Sequence, residues 1–234
     1  MNEDSDNNIS QSKRSALIVL KQQIFNIVNK DLSASRKASA VWQMLESNVI
    51  SGGEYPAEVI RYAVLYLIKA NYLEDARELF TGYLNSKQKL DNQSYTENDD
   101  LNLWEREYMA FFDLLSQNAT HGVELYTQIY RKYGSMNANM ISKEQSQSVI
   151  NACVNLGGIY SSLGMDVQSR DMFNTASSMC NDDLKKADIL YRLAVEDYAL
   201  GNRKSAVREL QYALSLDNSM NKARLMLKKL HAEE

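Results

Sequence analysis

Apolar side chains return at steps of three and four along most of this chain, and each run stops at a short polar turn. That spacing is the mark of amphipathic helix, and runs so short cannot stand alone, so each must lay its apolar stripe on a neighbour. The 234 residues hold one Pro and nine Gly, which leaves few of the breaks that hairpins and sheets need. Hydrophobic residues at 44% against charged residues at 24% supply material for a sizeable core. The fold class is therefore read as all-α, with no convincing strand.

Residues 1–11 carry Glu3, Asp4, Asp6 and three Asn, and are read as a disordered acidic tail because they bury too little surface to offset the entropy of ordering. Residues 12–234 are read as a single helical domain of eleven short helices. Leu17, Leu20, Ile24, Ile27 and Val28 mark the first. Val41, Met44, Leu45 and Val49 mark the second, from about Ala34 to Ile50, which stops at Ser51-Gly52-Gly53. Pro56 opens the third, which carries Val59, Ala63, Tyr66 and Leu67 on its stripe and ends near Ala70-Asn71, and the fourth runs from Leu73 to about Asn85. Ser86 to Asp100 is polar and turn-rich, either a long loop or two frayed helix ends. Helices follow at about 101–116 and 120–133, a break at 134–142, then helices at about 143–163, 166–180, 184–200, 203–216 and 220–232. Antiparallel helical hairpins are the natural product.

Hairpins in series invite a search for self-similarity, since each must stack on the next. Counting from Ile150, Leu156, Gly157, Tyr160, Gly164, Phe173 and Ala176 fall at positions 7, 8, 11, 15, 24 and 27. Counting from Ala187, Leu193, Ala194, Tyr198, Gly201, Ala206, Leu210 and Ala213 fall at 7, 8, 12, 15, 20, 24 and 27. This pattern resembles the tetratricopeptide repeat, a helix-turn-helix of about 34 residues. Small residues at 8, 20 and 27 let its helices touch, and a large residue at 24 fills the gap. The best copies are 150–183 and 187–220. Ser169 replaces the usual small residue at 20 of the first, and Asn181 and Asn218 stand where the family places proline. Weaker copies start at 103 (Met109, Ala110, Gly122, Tyr126), 57 (Ala76, Phe80) and 19 (Ser33, Ala38, Trp42), with spacings of 38, 46, 47 and 37 along the series. The resemblance implies a right-handed superhelix of about five antiparallel helix pairs with a C-terminal capping helix. A generic helical solenoid outside that family is the other reading.

Chemistry-bearing residues are sparse. His121 and His231 lack partners at metal-ligand spacing and are read as solvated surface. Cys153 lies inside an apolar stripe and is read as a buried structural thiol. The two cysteines, Cys153 and Cys180, neither build a disulfide framework nor supply a structural zinc site, which suits a reducing compartment. Glu105 with Glu107, and Glu74 with Asp75, are read as helix-surface carboxylates rather than acid-base pairs. Gly157-Gly158 sits in mid-helix, where close packing explains the first glycine better than a phosphate loop does. No cofactor, metal or catalytic residue is assigned.

In the family, first helices line the concave wall, so the resemblance implies a groove at positions 2, 5, 6, 9 and 12 of each copy. That set includes Arg61, Tyr62, Leu65, Trp104, Glu107, Tyr108, Phe111, Asn155, Tyr191, Arg192, Val195 and Tyr198, and its aromatics with interspersed Arg suit a peptide or helix of another protein. Longer first helices would instead make Trp104 and Phe111 core. Family members that bind chaperone tails use five polar positions, of which only Asn155 and Arg192 are met here. Glu107, Phe111 and Asp188 occupy the rest, and the two acids argue against an Hsp70 or Hsp90 tail.

The leading functional reading is a non-enzymatic interaction module, an adaptor or complex subunit. A helical-repeat RNA binder is the alternative, opposed by the net charge of −4 and by the lack of a Lys/Arg stripe on the first helices. An all-helical enzyme is a third. No apolar run approaches a membrane span and the acidic N-terminus is unlike a signal sequence, so a cytoplasmic protein, or a nuclear one, is expected with no membrane insertion.

Overall fold

A computed structural model describes residues 19, 20, 22–27, 29, 30, 32, 34–47, 57–91, 101–136 and 138–232. The readings for residues 1–11, for Ser51-Gly52-Gly53 and Pro56, and for 92–100 lie outside the described residues. Among the described residues every regular element is helical. The chain divides into two compact units, Met1–Asp100 and Leu101–Glu234.

In the first unit, residues 19, 20 and 22–27 are helical and are followed by α1 (Ala34–Ser47), α2 (Ala57–Lys69) and α3 (Leu73–Asp91). Helix α3 packs on both α1 and α2. Ile24, Val41, Ile60, Val64, Leu67 and Ala76 lose all contact with solvent. Phe25 meets Tyr66 edge-on at 5.9 Å, and the Tyr66 hydroxyl donates to Asn29 Oδ1 at 3.1 Å. Helix α3 continues to Asp91, beyond the expected stop at Asn85. The segment Ser86–Leu90 is polar, yet Lys, Gln and Leu are good helix formers and no Gly or Pro interrupts it.

The second unit holds α4 (Leu103–Leu114), α5 (Ala119–Tyr133), α6 (Lys143–Ser162), α7 (Asp166–Met179), α8 (Asp183–Ala199), α9 (Arg203–Leu216) and α10 (Asn221–Ala232), with a 3-10 turn at Ala138–Met140. Each helix packs on the next, and α4 also reaches α6. Three helix starts carry side chains that satisfy bare N–H groups. Asn102 and Glu105 form a reciprocal capping box at α4, and Ser142 and Gln145 form another at α6. Asp182 accepts from the Lys185 amide at the start of α8.

Three helix ends share one device. Asn71, Gly164 and Gly201 have φ of 63°, 69° and 78°. In each case the following amide reaches a carbonyl five residues back: Tyr72 to Leu67, Met165 to Tyr160, and Asn202 to Asp197. All three residues fall at position 15 of the register counted from 57, 150 and 187. The copy at 103 turns differently, through Ser116 Oγ, which donates to the Asp113 carbonyl and accepts from the Asn118 amide.

The small residues lie where paired helices touch. A Cβ on Gly157 would come within 2.9 Å of the Phe173 ring, and a Cβ on Gly122 within 2.7 Å of the Ala110 carbonyl oxygen. Ser169 keeps the close approach of α6 and α7 because its hydroxyl donates to the Gly157 carbonyl at 2.9 Å. Ala194, Ala206 and Ala213 are fully buried at the next contact. Two glycines therefore separate in consequence. Gly122→Ala should destabilise by about 2 kcal/mol, since backbone atoms must shift to admit the methyl. Gly158→Ala meets nothing within 4 Å and should stabilise by up to about 1 kcal/mol through helix propensity alone. Urea midpoints of the two variants check both signs.

Candidate protein-interaction face

The side chains of the first helices in the second unit reach from one to the next. Glu107 on α4 is buried and accepts from the Ser148 hydroxyl and from Asn151 Nδ2, both on α6, the latter at 2.6 Å. Asn151 Oδ1 accepts in turn from Lys185 Nζ on α8 at 2.7 Å. Burial holds the Lys185 ammonium below the usual lysine range, although the Glu107 charge works the other way. Asn155 donates to the Tyr126 hydroxyl at 3.1 Å, and burial, with Glu107 nearby, pushes that phenol far above its ordinary value. Asp188 on α8 then receives Arg192 Nε at 2.9 Å and Lys222 of α10. Burial would raise the Asp188 carboxyl, but Lys222 and Arg192 outweigh it and keep it charged.

Two cations lie over tyrosine rings along the same edge. Lys222 Nζ stands 4.5 Å from the Tyr191 centroid and Lys229 Nζ 5.2 Å from that of Tyr198. Both lysines and both tyrosines are seven residues apart. Helices α8 and α10 therefore run in the same direction in matched register, with α9 returning between them.

The twelve groove positions differ in what they offer. On α2 in the first unit, Arg61 and Tyr62 are half-buried and Leu65 is exposed, with Tyr62 tilted against Tyr66 at 6.4 Å. In the second unit Trp104, Glu107 and Tyr108 are buried, the two rings meeting edge-on at 5.6 Å, which leaves little of them for a partner. Phe111 is half-buried against the core and edge-on to Phe112. Asn155, Tyr191, Val195 and Tyr198 are half-buried, and Arg192 is exposed. In the second unit, Tyr191, Arg192 and Tyr198 of α8 thus lie near solvent beside the cations of α10, and in the first unit Arg61 and Tyr62 of α2 are likewise half-buried. Ser148 and Lys185 fall just ahead of the register's start, so position counting passes over them. Lys222 and Lys229 could have been found by matching their seven-residue step to that of the tyrosines.

Other candidates resolve simply. His121 is not solvated surface alone: its Nδ1 pairs with Asp113 Oδ2 at 2.6 Å across the α4–α5 turn. Cys153 and Cys180 are both free and buried, and burial pushes the Cys153 thiol up to about 12. Glu105 is engaged in its capping box, and Glu74 pairs with Arg77.

A second polar cluster joins α7, α8 and α9 and was not foreseen. Arg170 Nε donates to Asp197 Oδ1 at 2.5 Å, and Asn202 Nδ2 donates to the same oxygen at 3.0 Å. Asp197 is fully buried; burial works against its charge, but Arg170 and Asn202 hold its carboxyl below the usual range. Its other oxygen, Oδ2, and Glu209 Oε2 are buried acceptors with no donor from another group. A proton held on Glu209 satisfies both. Burial, and then Asp197, push the Glu209 carboxyl up to about 8.

No protein-family model and no curated protein matches the chain. Among the described residues no helix is long and apolar enough to cross a membrane, and no three His, Cys, Asp or Glu side chains gather as a metal-binding group.

Proposed function

We propose that the chain is a non-enzymatic protein-protein interaction module, an adaptor or subunit of a larger complex, that receives a peptide or helix of another protein along its first helices. Cytoplasmic or nuclear residence and the absence of a cofactor belong to the same reading. The tetratricopeptide-like register supports it, and one observation carries it furthest. The α8–α10 edge holds Tyr191 and Tyr198 half-buried beneath Lys222 and Lys229, with Arg192 exposed beside them. Aromatic and cationic anchors fixed in register lose little freedom on binding, which is what interface hot spots require.

The test compares parent protein with Arg192→Ala, and with Tyr191→Ala added, as bait in extract of the native host, followed by mass spectrometry and affinity measurement on the retained protein. Truncation should weaken binding by about 1–2 kcal/mol per anchor. Arg192→Ala removes an exposed ion pair with Asp188 and a cation contact over the Phe173 ring at 6.0 Å, and should cost folding little. Identical retained proteins and equal affinities with parent and variants would refute this face.

A further inference from the structure

Charge is distributed unevenly along the chain. Lys222, Arg224, Lys228 and Lys229 give α10 a charge of +4, with no Asp or Glu from Asn221 to Ala232, so a chain of net −4 carries −8 elsewhere. All four side chains are exposed, and α10 fully buries only Ala223 and Leu230. Packing alone does not call for so basic a helix.

The edge facing α8 is more specific than a basic patch. Asp188 is met by two cations, Arg192 and Lys222, so that locus carries surplus positive charge. In sequence Asp188 argues against an acidic ligand; in the fold it is outnumbered. The rings of Tyr191 and Tyr198 hold Lys222 and Lys229 two helical turns apart, about 10.5 Å along the axis. Leu225, 67% exposed, stands between them on the same stripe, three residues after one lysine and four before the other. The edge thus presents cation, apolar side chain and cation in line.

We infer that the α8–α10 edge binds an acidic segment of a partner protein, with two carboxylates received by Lys222 and Lys229 and an apolar side chain between them set against Leu225. This rests on the interaction reading above and names the chemistry of its partner. A helical segment with acids at i and i+7 and an apolar residue at i+3 or i+4 has the matching spacing. Arg192 widens the cationic end beside Lys222. A short acidic segment is favoured over a long polyanion because on this stripe the two cations are set apart by Leu225 instead of forming a continuous basic track, and the chain as a whole is net −4. The apolar centre of the stripe adds a contact that phosphate backbones do not return.

The experiment measures fluorescence anisotropy of the full chain with a labelled helical peptide of Glu, Ala and Leu built to that spacing. Parallel arms use its Glu→Gln and Leu→Ser forms, oligouridylate, and phosphatidylserine vesicles. The Glu/Leu peptide should bind, weaken with added salt, and lose tenfold or more in affinity to Lys222→Gln with Lys229→Gln. Leu225→Ser should cost about threefold or more, and only toward the peptide that carries Leu. Leu225 is exposed, so that variant keeps the measurement open should the lysine pair affect folding. Equal binding of the Glu and Gln peptides, indifference to both variants, or tighter binding of oligouridylate or vesicles through the same lysines would overturn the inference. A native partner held through Arg192 while the Glu peptide is ignored would overturn the acidic chemistry alone. Normal peptide binding with no face-dependent native partner would overturn the interaction reading and leave this edge chemistry standing.

Discussion

Replacing Arg170 with Ala should cost the second unit about 2–3 kcal/mol, seen as a lower urea midpoint at an unchanged slope. The reason is what remains behind. Asp197 has no exposed surface, and without the guanidinium its charge is left to two neutral partners, Asn202 Nδ2 at 3.0 Å and the Glu209 carboxyl. Breaking a buried pair at one partner costs about 3–5 kcal/mol, and the figure here is lower because Arg170 keeps part of its side chain in water. Adding Asp197→Asn to Arg170→Ala removes the stranded charge and should recover part of the loss. If Arg170→Ala leaves the midpoint where it was, the ion pair contributes nothing and α7–α8 packing alone holds that junction.

Stability of the same unit should fall as pH rises from about 4.5 toward 8, which is the reverse of what most carboxylates produce. Glu209 has a folded value of about 8 against 4.5 for the free side chain. Between those limits the folded chain keeps a proton that the unfolded chain has released, so raising pH favours unfolding until Glu209 ionises in the fold. Arg170 and Arg208 oppose the shift without cancelling it. Asp188 and Asp197, held below the usual range, act in the opposite sense and only below about pH 4. One such group gives a slope of at most about 1.4 kcal/mol per pH unit, and the half-exposure of Glu209 reduces it. Glu209→Gln should flatten the profile, because an amide donates to Asp197 Oδ2 at any pH. Urea midpoints at pH 5.5 and 8.5 test this: parent and variant that respond equally to pH would exclude Glu209 as the source.

Helix count and spacing were legible because local period carries them. From α4 onward the ends fall close to the expected positions, where Asn102, Ser142, Gly164 and Gly201 are ordinary start and stop residues. The stop near Ala70-Asn71 is legible too, although nothing local shows that Asn71 itself takes the left-handed conformation a glycine usually fills. The continuation of α3 to Asp91 agrees with the second of the two readings for Ser86 to Asp100, frayed helix ends, and both stay open in sequence because a polar segment without breakers satisfies loop and helix patterns alike. In the candidate face, the register positions of Tyr191 and Arg192 reach solvent, whereas Tyr108, expected in the groove, lies buried, and Trp104 follows its other reading as core. An aromatic stripe on a helix that packs on two neighbours reads the same whichever way it points. The Lys222–Tyr191, Lys185–Asn151 and Arg170–Asp197 contacts join residues 27 to 34 apart, and no periodic signal encodes such pairs.

The bonds from Glu107 through Asn151 to Lys185, and from Asp188 to Lys222, skip the intervening return helices. Stacked hairpins joined only through neighbouring apolar faces melt like a zip, losing end pairs while the middle persists. Rungs that tie every other helix penalise such partial opening, since releasing α10 leaves Asp188 with Arg192 alone and releasing α8 takes the Lys185 ammonium away from Asn151. Cooperativity across the second unit is thus written into its polar side chains as much as into its core, and heating should take the unit apart in one transition rather than hairpin by hairpin.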